Sequence, residues 1–203
     1  GFKNKMVWHD DIELPKSDLV VLPGGFSYGD YLRCGSMASK SKVMNSVINF
    51  ANSGGKVMGI CNGFQILVES GLLPGVLLRN KYLEFICENT FVKVNDKNSP
   101  YFKNIKINTL ELHIAHNEGN YFCTNEQIKE INDNDQIALF YSDKNGNVND
   151  KSNPNGSLKN IAGILNKEKN ILGMMPHPER MIDPALSGED GSIFFENLIN
   201  NLK

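Results

Sequence analysis

The run Gly59-Ile60-Cys61-Asn62-Gly63-Phe64-Gln65 holds the residue types and spacing best suited to chemistry. A nucleophile on a sharp strand-to-helix turn needs small neighbours, because the backbone there is strained and closely packed. Gly59 and Gly63 supply them at positions −2 and +2 from Cys61. Residues 57–60 read as a short apolar strand and residues 64–69 as a helix stopped by Gly71. The positive end of a helix dipole favours thiolate over thiol, so Cys61 is expected to ionise readily. Cys34, beside Gly35, is a rival nucleophile without a strand-to-helix frame, and Cys87 and Cys123 read as strand or packing residues.

A thiol nucleophile needs a base. The histidines are His9, His113, His116 and His177. His177 lies in Met175-Pro176-His177-Pro178-Glu179-Arg180, directly after an apolar strand, with a proline on each side to fix the backbone. Glu179, two residues on, is placed to orient the imidazole as the third member of a triad does. Acyl transfer also needs donors for a tetrahedral oxyanion. The Asn62 N–H, next after the nucleophile, is one candidate. Gly24-Gly25, at the end of a neighbouring strand, can turn a second N–H toward the same point. His113 and His116 sit three apart on a strand and so point to opposite faces, which argues against a shared metal ion. The sequence contains no P-loop and no Gly-x-Gly-x-x-Gly after a strand, which argues against an ATP site in this chain.

The elements that must position these residues follow from hydrophobic pattern and turn signals. Residues 5–8 and 18–22 read as strands and residues 43–51 as a helix ended by Gly54-Gly55; the strand and helix around Cys61 follow. That order predicts an α/β fold, mainly a parallel sheet with flanking helices. Residues 83–87, 91–94 and 109–115 read as strands without intervening helices, a small antiparallel or mixed extension. A helix over 124–131 is capped by Thr124 or Asn125; strands over 137–141, 160–165 and 170–175 and an amphipathic helix over 192–202 complete the chain. Residues 145–157 are a polar loop.

Composition bounds the function. The chain has 203 residues, 40% hydrophobic and 22% charged, the balance of one globular domain. With 21 basic and 23 acidic residues its net charge is −2, which disfavours a general nucleic-acid binder. No apolar run approaches the roughly 18 residues of a membrane span. Four well-separated cysteines suggest a reducing cytoplasm rather than a disulfide framework.

Several blocks of this sequence together resemble the class I (triad) glutamine amidotransferases, over nearly the whole chain. They are residues 22–33 (LPGGFSYGDYLR), 59–65 (GICNGFQ), 71–75 (GLLPG), 78–80 (LRN), 114–121 (IAHNEGNY), 153–157 (NPNGS) and 174–180 (MMPHPER). The only arginines, Arg33, Arg79 and Arg180, all fall inside them. The 26–33 stretch and the 153–157 turn point to the branch that serves purine biosynthesis. The resemblance implies a flavodoxin-like fold and hydrolysis of glutamine to glutamate and ammonia through a Cys61 thioester. It makes His177 the acid/base, Glu179 its orienter, Gly25 and Asn62 the oxyanion donors, and Gln65 a contact of the glutamine substrate. It implies that ammonia passes to a separate synthetase subunit that aminates formylglycinamide ribonucleotide, a third small subunit bridging the two. This chain would need no metal or cofactor, ATP and magnesium belonging to the synthetase. Competing implications are another triad amidotransferase, a γ-glutamyl hydrolase, or a catalytically silent scaffold on the same fold. Family members begin with a further strand and helix, expected ahead of Gly1-Phe2-Lys3. Where the family has glycine before Glu118-Gly119 this chain has Asn117, expected to keep a left-handed turn.

Overall fold

Short apolar runs that end in glycine-rich turns build one half of the sheet, and longer half-polar strands build the other. The computed structural model describes residues 3–31, 33–185 and 187–202. In chain order the elements are β1 (Leu19–Leu22), α1 (Lys42–Asn52), β2 (Lys56–Ile60), α2 (Asn62–Glu69), β3 (Val76–Leu78), β4 (Ile86–Val94) and β5 (Thr109–His116). Then come β6 (Asn120–Phe122), α3 (Asn125–Asp133), β7 (Ile137–Ser142), β8 (Ile161–Leu165), β9 (Ile171–Met174) and α4 (Asp190–Asn201).

Seven strands form one sheet in the order β1-β2-β9-β8-β7-β4-β5, and β3 pairs with β6 in a separate antiparallel ribbon. β1, β2 and β9 are parallel neighbours, and each later pairing is antiparallel. Following those pairings, β8 and β4 are reversed and the other five strands of the sheet point the same way. The α/β sheet with an antiparallel extension is thus present, and the extension is larger than the pattern suggests. The sheet also curls: β5, at its far edge, returns to form a bridge between His113 and His177, just beyond β9.

This topology decides where chemistry can occur. Leu22 pairs with Gly59 and Ile60 with Met174, so β1, β2 and β9 end level with one another. The three loops that follow carry Gly24-Gly25, Cys61 and His177. Ligands of open α/β sheets bind at such carboxyl ends. Phe64 and Leu67 of α2 are fully buried against the sheet, where Cβ atoms on Gly173 and Gly59 would meet them at 2.1 and 2.6 Å. A Cβ on Gly63 would lie 1.9 Å from the Leu22 carbonyl oxygen, so only glycine lets the first turn of α2 sit on β1. Thr124 caps α3 through a capping box with Gln127, as the sequence indicates.

Three expectations need correction, and one pair of short strands is added. Residues 5–8 form no strand: the Trp8 N–H donates to Asp11 Oδ2 at 2.9 Å and the Trp8 carbonyl accepts from the Asp11 N–H, so this stretch runs into a turn. The runs 83–87 and 91–94 are not two strands; β4 is one strand from Ile86, and Leu83 is held in a turn by the Asn80 carbonyl and a φ of 60°. The three-residue β3 and β6 were not expected from the pattern. Asn117 is not among the described residues with positive φ, so it needs no left-handed backbone.

Candidate active site

Cys61 occupies the point between β2 and α2 with φ 50° and ψ −104°, a strained backbone that holds the side chain at the head of the helix. Its N–H donates to the Met174 carbonyl at 2.8 Å, which ties the elbow to β9. The residue is 4% exposed, and its Sγ lies 3.7 Å from the Ala115 carbonyl oxygen. The expected ready ionisation does not hold in this resting state. Burial pushes the thiol from its ordinary 9.0 up to about 12. The Asn62 backbone N–H and the Arg180 guanidinium pull the other way, while Glu179 and Asp30 add to the rise. Desolvation outweighs the dipole, and Cys61 waits as a thiol that needs a base.

His177 supplies the geometry of one. Its Nδ1 lies 2.5 Å from Glu179 Oε1, and its own N–H donates to the His113 carbonyl at 2.7 Å. With Glu179 accepting at Nδ1, the lone pair is left on Nε2, a buried atom with no hydrogen-bond partner among the described residues. Gly24 packs against this imidazole. A Cβ there would lie 2.6 Å from His177 Cε1 and 3.6 Å from Cys61 Cβ, so the glycine leaves room for thiol and ring to face each other.

The two oxyanion candidates are joined. Asn62 presents its N–H to Cys61, while its side-chain Oδ1 accepts from the Ser27 N–H at 3.3 Å. That bond fixes the loop carrying Gly25, whose φ of 148° suits glycine, against the head of α2. Gln65 lies beside them, but its amide is engaged within the chain. Oε1 accepts from Asn62 Nδ2 at 2.8 Å and Nε2 donates to the Glu118 carbonyl at 2.7 Å. Leu32, within the 26–33 stretch, lies outside the described residues; Arg33 reaches back to Glu69 near the end of α2 at 2.9 Å.

Residues that local reading missed frame the site from the far edge of the sheet. Asn80 donates to the His116 carbonyl and accepts from the Gly119 N–H, and Asn155 and Ser157 both donate to the Gly119 carbonyl. The blocks 78–80, 114–121 and 153–157 thereby meet in one buried polar knot that shapes the turn bearing Glu118. His116 belongs to this knot, with burial pushing it down to about 4. His113 points the other way, to Asn89 and Cys87. Cys34 is buried, burial together with Glu118 and Asp30 pushes its thiol up, and it sits in a turn without the strand-to-helix frame of Cys61. Besides His177 Nε2, the buried side-chain atoms without a partner among the described residues are Ser27 Oγ and Asp30 Oδ1. Ser27 is bonded to Asn62, and Asp30 acts on Cys61 electrostatically, so both belong to the same neighbourhood.

A glycine-framed thiol and a His–Glu pair stand together at the carboxyl ends of parallel strands, an arrangement suited to acyl transfer. The chain belongs to the glutamine amidotransferases: residues 1–188 match the family of CobB/CobQ-like glutamine amidotransferase domains. It is 84% identical over 203 residues to the phosphoribosylformylglycinamidine synthase subunit PurQ of Pelagibacter ubique, covering 100% of this chain and 89% of that one. Identity to the subunit of the same name from Synechocystis is 50% over 192 residues, 94% of this chain and 86% of the other. The solved structure of PurLQS from Thermotoga maritima matches with a TM-score of 0.81 and 40% identity, over 96% of this chain and 84% of that chain. Among the described residues no helix is long and apolar enough to cross a membrane.

Proposed function

We propose that this chain is the glutaminase subunit of a phosphoribosylformylglycinamidine synthase, with Cys61, His177 and Glu179 as its catalytic triad. The observation that carries the reading is the free Nε2 of His177, its Nδ1 bound to Glu179, beside the thiol of a strained elbow. The γ-carboxamide carbon of glutamine is attacked by Cys61 Sγ as Nε2 takes the thiol proton. The Gly25 and Asn62 N–H groups receive the oxyanion. His177 then gives its proton to the departing ammonia, leaving a γ-glutamyl thioester, and activates the water that releases glutamate. Asp30 Oδ1 and Ser27 Oγ offer polar contacts for the head of an amino acid. Gln65, engaged with Asn62 and Glu118, acts on glutamine by holding these two groups in place.

Ammonia passes to the ATP- and magnesium-dependent synthetase subunit, with a small subunit bridging the two, in the reducing cytoplasm where four free thiols persist. Ammonia released before an acceptor is ready is lost, so low activity alone and a large rise with the partner are expected. The route runs through the 26–33 loop. Phe26, Tyr28 and Tyr31 are exposed on it, and Ser27 couples it to Asn62. A partner bound there favours the conformation in which the donors point correctly. The test is steady-state glutamine hydrolysis with and without the loaded synthetase, for wild type and Arg33→Ala. Wild type should be stimulated and Arg33→Ala much less so; equal rates in all four measurements rule out both the activation and its route.

A further inference from the structure

A second thiol–imidazole pair lies outside the glutamine site, on the exposed face of the β4–β5 ladder. Asn89 is directly opposite His113, and Cys87 and Glu111 lie diagonally to either side, all on one face. Cys87 Sγ is 3.5 Å from His113 Nε2, His113 Nδ1 is 2.9 Å from Asn89 Oδ1, and Asn89 Nδ2 donates to Glu111 Oε1 at 3.2 Å. These contacts fix the protons. A carboxylate only accepts, so Asn89 turns its NH2 to Glu111 and its oxygen to His113. Nδ1 of His113 must then carry the hydrogen, and the lone pair on Nε2 faces the thiol. Partial burial, with the positive charge of Arg180 and the neighbouring His177, holds His113 below its ordinary 6.5; Glu179 opposes this. The ring is therefore neutral near pH 7 and able to accept a proton. Cys87 is exposed, unlike Cys34, Cys61 and Cys123.

We propose that Cys87, His113 and Asn89 form a reactive-thiol site that accepts reversible S-thiolation by a small-molecule disulfide. Nucleophile, base and orienting group stand in the order required for an activated thiol. Cys87 Sγ attacks one sulfur of the disulfide as its proton moves to His113 Nε2. The new S–S bond forms as the old one breaks, and the departing thiolate takes the proton from His113. One thiol and one disulfide give one mixed disulfide and one thiol, with no further oxidant. Asn89 is a positioning residue, because it acts through the imidazole.

An ordinary exposed thiol is only a few per cent thiolate at neutral pH, so base assistance is expected to raise its rate by about tenfold. The probe is 5,5′-dithiobis(2-nitrobenzoate) on the full chain, read by release of the chromogenic thiolate and by mass-spectrometric mapping. One fast equivalent should map to Cys87 and vanish in Cys87→Ser. The Cys87 rate near pH 7 should fall about tenfold in His113→Ala and in His113→Gln, and by less in Asn89→Ala. The deficit should close as pH rises past the ordinary thiol range. A fast equivalent on another cysteine overturns the proposal. So does a Cys87 rate that is the same at every pH in wild type and in whichever His113 and Asn89 variants fold.

Discussion

Cys61 and Cys87 lie on either side of one residue of β5. Ala115 presents its carbonyl 3.7 Å from Cys61 Sγ and is the ladder partner of Cys87. Each thiol has a histidine near it, and the two histidines are themselves joined by the bond from the His177 N–H to the His113 carbonyl. Yet the surroundings differ in every respect that matters for catalysis. Cys61 is buried on a strained elbow, the histidine near it is backed by a carboxylate at 2.5 Å, and the Asn62 N–H stands beside its sulfur. Cys87 is exposed on regular strand, its base is backed by an amide, and its chemistry requires no oxyanion hole. A thiol with an imidazole suffices for exchange at sulfur. Attack at a carboxamide also needs charge stabilisation on oxygen and an acid strong enough to release ammonia.

The comparison is broken most severely by removing the base at Cys61. Burial pushes the Cys61 thiol up to about 12, so at neutral pH its proton has to be taken as it attacks. His177→Ala should lower kcat of the synthetase-activated glutaminase by about 10²–10⁴-fold, and Glu179→Gln by less, since Glu179 only orients and stabilises the ring. Comparable kcat for wild type and His177→Ala at saturating glutamine contradicts the assignment.

Gly24→Ala sharpens the contrast by moving the ring without removing it. The added Cβ meets His177 Cε1 at 2.6 Å, and Gly24 is not at positive φ, so the backbone tolerates alanine. A misplaced catalytic group of this kind costs on the order of 10²-fold in kcat, with the thermal unfolding midpoint little changed. An unchanged rate would show that the imidazole can shift and still work. The smallest effect belongs to the other thiol. Cys87→Ser should leave the activated glutaminase rate as in wild type, and a parallel loss there would merge the two sites into one.

The parts of this molecule legible in the sequence are those with a local cause. The elbow could be read because Gly59 and Gly63 are forced by close packing, and the Thr124 cap because its partner Gln127 lies one turn away. His177 could be singled out as a candidate base because the prolines and Glu179 are its immediate neighbours in the chain. What escaped depends on distant residues. β3 and β6 are too short to show a period, and each exists only through the other. Glu88 and Asn89 interrupt the apolar pattern of β4 because the first half of the strand is exposed on both faces, so one strand reads as two. The protonation of Cys61 escaped because burial is a tertiary property, which here overrides the helix terminus. The polar knot of Asn80, His116, Asn155 and Ser157 was visible only as separate motif blocks; that they share the turn at Gly119 is a fact of folding.

The central claim is that Cys61 Sγ takes the γ-glutamyl group, and trapping that group tests it most directly. The synthetase-activated complex would be given isotopically labelled glutamine, quenched in acid during turnover, digested and mapped by mass spectrometry. The thioester should appear on the peptide that contains Cys61, and both it and ammonia release should be lost in Cys61→Ala. Label on Cys87 or Cys34, or continued ammonia release by Cys61→Ala, would contradict the account.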